Sequence, residues 1–177
     1  MKCYQKIVDN IMINMFLKKA ILRHFKETRS FISDLIEDTI SDMFKSNVIK
    51  PNQILFKIPV KDGRSLGQVL LHMIRSMEFY IKGIVKNVWE PLFYSLTAFP
   101  TLLKILNLYD SVTAEMTKYL DEITTEDLEQ NLDSFNRLGT KGEILLEMLE
   151  HSLHHRGQLS VYLRLLGINP PEISYII

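Results

Sequence analysis

Hydrophobic residues recur along most of the chain with the period of about 3.6 residues that is typical of an amphipathic α-helix. The pattern predicts four long helices, over residues 11–38, 65–88, 100–123 and 140–167. No Gly/Ser-rich linker and no repeat separates these segments. The sequence therefore predicts an all-α fold, a four-helix bundle formed by a single domain over residues 1–177.

Helix boundaries are marked by capping residues. Ser65 with Gln68 and Thr140 with Glu143 have the spacing of capping boxes, which place the starts of the second and fourth helices. Gly167, followed by two prolines, predicts the end of the fourth helix.

Each predicted helix has an apolar stripe that we expect to face the core. The stripes comprise Ile11, Met15, Leu22, Phe25, Ile32 and Ile36 in the first helix, Val69, Met73, Met77, Ile81 and Ile84 in the second, Leu102, Leu106, Tyr109, Val112, Met116, Leu120 and Ile123 in the third, and Ile144, Met148, Leu159 and Tyr162 in the fourth.

Two connections carry weaker patterns. Between Lys50 and Lys61, two prolines bracket the apolar run Ile54–Ile58, which predicts a short extended segment between the first and second helices. A further short helix is predicted between Thr125 and Asn136.

The amino-acid composition and charge exclude several classes of function. The 177 residues are 46% hydrophobic and 24% charged, as is usual for a soluble globular protein. Lys plus Arg and Asp plus Glu are 21 each, and this zero net charge argues against nucleic-acid binding through a basic face. No apolar run approaches the ~20 residues that cross a bilayer. Cys3 is the single cysteine, so no internal disulfide can form and we expect a cytoplasmic protein. From the charge balance and the lack of a long apolar run, we expect no nucleic-acid partner and no membrane partner.

Three of the five histidines are predicted to point into the bundle. His151 and His155 lie one turn apart in the apolar arc of the fourth helix. His72 borders the stripe of the second helix, next to a row of small residues that would leave a groove: Ser65, Ser76 and Gly83. A single such histidine is more often a hydrogen-bonded core residue. Three that converge suggest a metal site with an open position, suited to zinc, nickel, iron or copper.

Other polar residues receive other expected roles. Gln158 is expected to orient a ligand or to support a metal-bound histidine. Arg156 is assigned to packing or to an interhelical ion pair. The wheel places Arg75, Glu78 and Lys82 on the solvent face of the second helix, and Glu147 on the far side or the edge of the fourth, while His154 lies near the polar edge and His24 is not assigned to the site.

The fourth helix also resembles a known family. The run from His151 to Ser160, continuing to Pro170 and Pro171, is similar to the terminal signature of the DinB family, which includes the YfiT-like proteins. The segment Leu66–Met73 resembles the family's other signature, and the likeness spans about residues 11–175.

This resemblance implies an up-up-down-down bundle, often a homodimer, with a divalent metal (Zn, Ni or Fe) held by His72, His151 and His155. Several relatives are enzymes that transfer or remove a small thiol, and many have no known activity. One hypothesis is therefore a metal-dependent thiol S-transferase or hydrolase that acts on small electrophiles or thiol adducts, with its catalytic residues unassigned. The alternative is a non-catalytic, stress-response metal-binding or scaffold bundle. The unusual connection between Lys50 and Lys61, and Trp89, are expected to reshape the substrate pocket.

Overall fold

The computed structural model describes residues 2–36, 51–134 and 137–172, with side chains in 15–36, 51–132 and 139–172. Four long helices form a bundle, and this confirms the all-α prediction. None of the helices in these ranges is both long and apolar enough to cross a membrane. The elements are α1 (Lys2–Asp34), a 3-10 helix (Pro51–Phe56), α2 (Leu66–Lys86), α3 (Leu102–Glu122), α4 (Thr125–Leu128), β1 (Asn131–Ser134), β2 (Arg137–Thr140) and α5 (Lys141–Leu165).

The predicted capping residues set the ends of the helices. Ser65 and Gln68 form a reciprocal capping box at α2, and Thr140 with Glu143 does the same at α5. Past the end of α5, Gly167 adopts a φ of 76°, which is the left-handed conformation that glycine accepts without strain.

The predicted stripes of α2, α3 and α5 are buried, but that of α1 is only partly correct. Met15 and Leu22 are 44% and 37% exposed, while Ile21 is buried in their place. The buried face of α1 includes the polar residues His24 and Thr28, so the apolar pattern alone misplaced it. The side chain of Ile11 and the predicted helical residues 37–38 lie outside the described part.

The connection between α2 and α3 sets the relative direction of these helices. Residues 87–101 run back along α2, because Trp89 lies on Gly83 near its end and Leu96 lies against Gly67 at its start. The chain thus returns to the end of the bundle where α2 began. As a result, α2 and α3 run parallel.

Cross-helix hydrogen bonds fix the other directions. The paired residues show that α1 runs antiparallel to α3 and that α2 runs antiparallel to α5. They also show that α1 and α5 run parallel. The pairs are Lys18 with Ile123 and Arg29 with Asp110, then Met77 with Ser152 and Tyr80 with Glu147, then His24 with Ser152 and Thr28 with Arg156. The topology is therefore up-down-down-up, which corrects the implied up-up-down-down order.

The prediction of an extended segment between the first and second helices is wrong for the first part of that connection. Pro51–Phe56 forms a 3-10 helix, whose Ile54 and Leu55 are both buried. Asn52 Oδ1 also accepts a hydrogen bond from the backbone N–H of Leu102. This short 3-10 helix buries two adjacent apolar residues, whereas successive side chains of a strand point to opposite faces, and its Asn52 caps α3.

The second short element is a helix only in its first part. Thr125–Leu128 is helical as predicted, with Thr124 and Asp127 forming a capping box. Residues 131–134 instead pair with 137–140 as an antiparallel hairpin leading into α5.

Candidate metal centre

Three histidines meet between α2 and α5. His72 lies in the second turn of α2, and His151 and His155 lie one turn apart on α5. One ring nitrogen from each lies within 4.8 Å of the others, and the Nε2 atoms of His151 and His155 are 3.2 Å apart. The structure thus brings together the three residues that the sequence selected. His24 and the exposed His154 lie outside this group.

Hydrogen bonds orient the ring of His155. Its Nδ1–H donates to Oε1 of Gln158 over 2.9 Å, and Gln158 Nε2 donates to the hydroxyl of Tyr162 over 3.2 Å. A neutral imidazole that donates from Nδ1 keeps its lone pair on Nε2. This lone pair faces His151, so Gln158 has the supporting position that was expected of it.

His72 is held differently, by Arg75. Since a guanidinium has only donors, the 2.8 Å contact is an N–H of Arg75 donating to Nδ1 of His72. The prediction that Arg75 faces solvent is wrong, because side chains three residues apart on a helix are neighbours and this one turns towards the site.

The environment keeps the histidines neutral. Burial, helped by the nearby His155 and Arg64, lowers the pKa of His72 to about 4. Burial together with His155 and His154 lowers the pKa of His151 to about 4, and burial also lowers the pKa of His155. Three uncharged imidazoles therefore offer lone pairs at neutral pH. This donor set fits Zn²⁺, Ni²⁺ or Fe²⁺.

A polar pocket of about 430 Å³ opens beside His72. Its walls are the first turns of α2, together with the Arg64 that precedes them, and part of the connection that runs back along the helix. The lining residues are Arg64, Gln68, Leu71, His72, Arg75, Tyr94, Ser95, Leu96 and Thr97.

A second pocket, of about 380 Å³, lies on the other side of Arg75 and reaches His151. It is mainly apolar, and Phe93 at its edge is 88% exposed. The other lining residues are Ser76, Phe79, Tyr80, Pro91 and Leu92. The histidines therefore have a polar space on one side and an aromatic space on the other.

The connection that forms these walls is fastened to α2. The hydroxyl of Tyr94 donates to Glu78, which also pairs with Lys82. Trp89 covers Gly83, so the predicted groove of small residues is filled there and stays open at Ser76. Glu78 was expected on the solvent face, yet its side chain is only 12% exposed.

Sequence reasoning missed Arg64, Tyr80 and the role of Glu147. Glu147 is half-buried and accepts a 3.0 Å hydrogen bond from Tyr80, and its charge opposes the lowering of the pKa of His151. The spacing was a signal, since Glu147 precedes His151 by four residues and so lies on the same face of α5.

A polar network separate from the three histidines joins α1 to α5. His24 Nε2 and Ser152 Oγ are 2.7 Å apart, and both residues are buried. Arg156, only 3% exposed, pairs with Glu27 over 3.0 Å, which confirms the expected interhelical ion pair. Burial, with a contribution from Arg156, lowers the pKa of His24 to about 3.

Comparisons with known proteins agree with this architecture. The DinB family model matches residues 12–177. YjoA of Bacillus subtilis (strain 168), described as uncharacterized, is 25% identical over 156 residues, which are 86% of this chain and 93% of YjoA.

Two crystal structures share the fold. A DinB-like protein from Bacillus cereus ATCC 10987 superposes with a TM-score of 0.69 at 18% identity, covering 89% of this chain and 95% of that one. The DinB-like YjoA structure from Bacillus subtilis gives 0.65 at 20% identity, covering 91% and 99%. With the family model matching nearly the whole sequence, the chain belongs to the DinB family.

Proposed function

We propose that His72, His151 and His155 bind a divalent metal ion, Zn²⁺, Ni²⁺ or Fe²⁺, and that the protein is a metal-dependent thiol S-transferase or hydrolase. Its substrates would be small electrophiles or thiol adducts. The observation that carries the proposal is the convergence of three neutral imidazoles within 4.8 Å. One ring nitrogen of each histidine can bind the same ion, and three histidine nitrogens with an open position describe a catalytic metal site.

The bound metal would lower the pKa of a coordinated thiol or water and so supply thiolate or hydroxide at neutral pH. The chain supplies orientation and space. Gln158 fixes the ring of His155, and the pockets on either side of Arg75 give room for two reactants next to the histidines.

The alternative is a bundle that binds metal without turnover. To separate the two, tag-free protein would be loaded with Zn²⁺, Ni²⁺ or Fe²⁺ and supplied with a fluorogenic bimane electrophile and a panel of small thiols. Metal-dependent conjugation that is lost in His155→Ala and kept in His154→Ala supports the enzyme. Stoichiometric metal binding without conjugation or cleavage of any thiol adduct supports the non-catalytic alternative.

A further inference from the structure

We propose that the polar pocket beside His72 binds an anionic group, a carboxylate or a phosphate, between Arg64 and Arg75. As a statement about the substrate, this rests on the proposed function. It predicts that the thiol or its adduct carries such an anion, held beside the three histidines.

The charge of the pocket wall supports this assignment. Arg64 and Arg75 contribute two guanidinium groups, and the described residues of the lining include no carboxylate. Within residues 15–36, 51–132 and 139–172, neither arginine forms an ion pair, and the one hydrogen bond of Arg75 goes to the neutral His72. A pair of uncompensated guanidiniums around a cavity favours an anion, which each can bind through two parallel N–H donors.

Three other arginines in the described part of the chain are compensated, in contrast. Arg23 and Arg156 both pair with Glu27, and Arg29 makes two hydrogen bonds to Asp110. Arg64 and Arg75 therefore carry charge that no described carboxylate neutralises, although acidic and basic residues are equal in number in the chain.

Metal binding would also free Arg75. A lone pair on Nδ1 of His72 already accepts from Arg75, so that nitrogen cannot bind a metal until the hydrogen bond breaks. If Nε2 binds the metal instead, the neutral ring carries its proton on Nδ1, which then cannot accept from Arg75. Either way the guanidinium must leave His72, and it already lines the pocket.

The opposite wall completes a polar environment. Ser95 and Thr97 bring hydroxyl groups to the lining, and these can donate to an anion. The pocket on the other side of Arg75 is mainly apolar, with Phe79 and Pro91 in its wall, and would leave an anion without donors. The two sides therefore favour a substrate with its charge near His72.

The test uses succinate and inorganic phosphate as probes, in calorimetric titrations of metal-free and Zn²⁺-loaded protein. We expect saturable binding that weakens at least tenfold in Arg64→Gln and in Arg75→Gln. Arg23→Gln removes the same charge outside the pocket and should bind like the wild type. Tighter binding of succinate identifies a carboxylate, and tighter binding of phosphate identifies a phosphate. No saturable binding of either probe, or equal binding in both pocket variants and the wild type, overturns the proposal.

Zn²⁺ affinity measured in the same samples separates this proposal from the proposed function. If the wild type binds Zn²⁺ but neither anion, the pocket assignment fails and the metal site stands. If it binds an anion through both arginines but no Zn²⁺, the anion site stands and the metal-dependent function fails.

Discussion

Arg75 donates a hydrogen bond to Nδ1 of His72 over 2.8 Å, and this bond is incompatible with metal binding by the neutral His72 ring. The metal must therefore compete with Arg75 for the histidine. Replacing Arg75 by Gln should raise Zn²⁺ affinity, by about 1 kcal/mol or roughly fivefold, because a net hydrogen bond of about this strength no longer has to break. Competition with a chromophoric chelator measures the change.

Arg64→Gln is the control for charge, since Arg64 lines the same pocket but makes no hydrogen bond to His72. It should raise Zn²⁺ affinity less than Arg75→Gln. Weaker Zn²⁺ binding in Arg75→Gln would instead mean that the arginine supports the metal-bound geometry.

The three histidines should be individually necessary for metal binding. Alanine at His72, His151 or His155 should abolish stoichiometric binding of Zn²⁺ or Ni²⁺ in calorimetry, because two imidazoles leave the metal short of protein ligands. His154→Ala should bind nearly as the wild type does, and His24→Ala should retain binding, since neither belongs to the converging group. Unchanged binding in both His72→Ala and His155→Ala would show that the site assignment is wrong.

Gln158 should act through His155. Gln158→Leu removes the acceptor for Nδ1–H of His155, and loss of such supporting partners typically costs about 10–100-fold in metal affinity. Gln158→Glu keeps an acceptor in place and should restore most of the affinity. Equal affinities in the wild type and in Gln158→Leu would assign Gln158 a purely structural role.

How far these features follow from the sequence differs between elements. The stripes of α2 and α3 were predictable because nearly all their inward residues are apolar. The inward face of α1 was not, because the buried His24 and Thr28 interrupt its apolar pattern. Their hydrogen-bond partners, Ser152 and Arg156, lie 128 residues further along the sequence, on α5. The direction of α3 was also hidden, since it depends on how residues 87–101 pack and that segment has no helical period.

The candidate site was likewise only partly predictable from the sequence. The spacing of His151 and His155 placed them on one face of one helix, and a wheel also set His72 beside a groove. The wheel misplaced Arg75, because it locates the Cα of a residue and not the end of a long, flexible side chain. Arg64 lies before the helix begins, where no periodicity applies, and only the path of the following connection brings it into a pocket.

The buried His24 should make the protein sensitive to acid. Burial lowers its pKa from the ordinary 6.5 to about 3, so the folded state favours the neutral ring. Between pH 6.5 and 3 the ring is protonated more readily in the unfolded chain than in the folded protein, so acid favours unfolding. The contribution of His24 to the free energy of unfolding is therefore fully present above pH 6.5 and is lost as the pH falls towards 3. Urea denaturation of metal-free protein should therefore show a declining free energy of unfolding over this range.

His24→Leu provides the comparison. It leaves Ser152 without its histidine partner, which should cost about 1–3 kcal/mol at neutral pH. With one titrating group fewer, its stability should then fall less steeply with acid than that of the wild type. Identical slopes in the wild type and in His24→Leu would contradict the role of His24.

The packing of Trp89 on Gly83 should hold the walls of both pockets in place. A Cβ added to Gly83 would lie 2.3 Å from the indole ring, so Gly83→Ala must displace Trp89 and the connection that it anchors. Alanine is the better helix former by about 1 kcal/mol, yet we expect net destabilisation, because overpacking typically costs about 1–3 kcal/mol. Thermal denaturation measures the net effect.

A double-mutant cycle distinguishes the clash from a backbone effect. In a Trp89→Ala background the indole is gone, so Gly83→Ala should become neutral or stabilising by up to about 1 kcal/mol through helix propensity alone. The sign of the Gly83→Ala effect should thus reverse between the two backgrounds. If it destabilises equally in both, the glycine is required for a reason other than the ring.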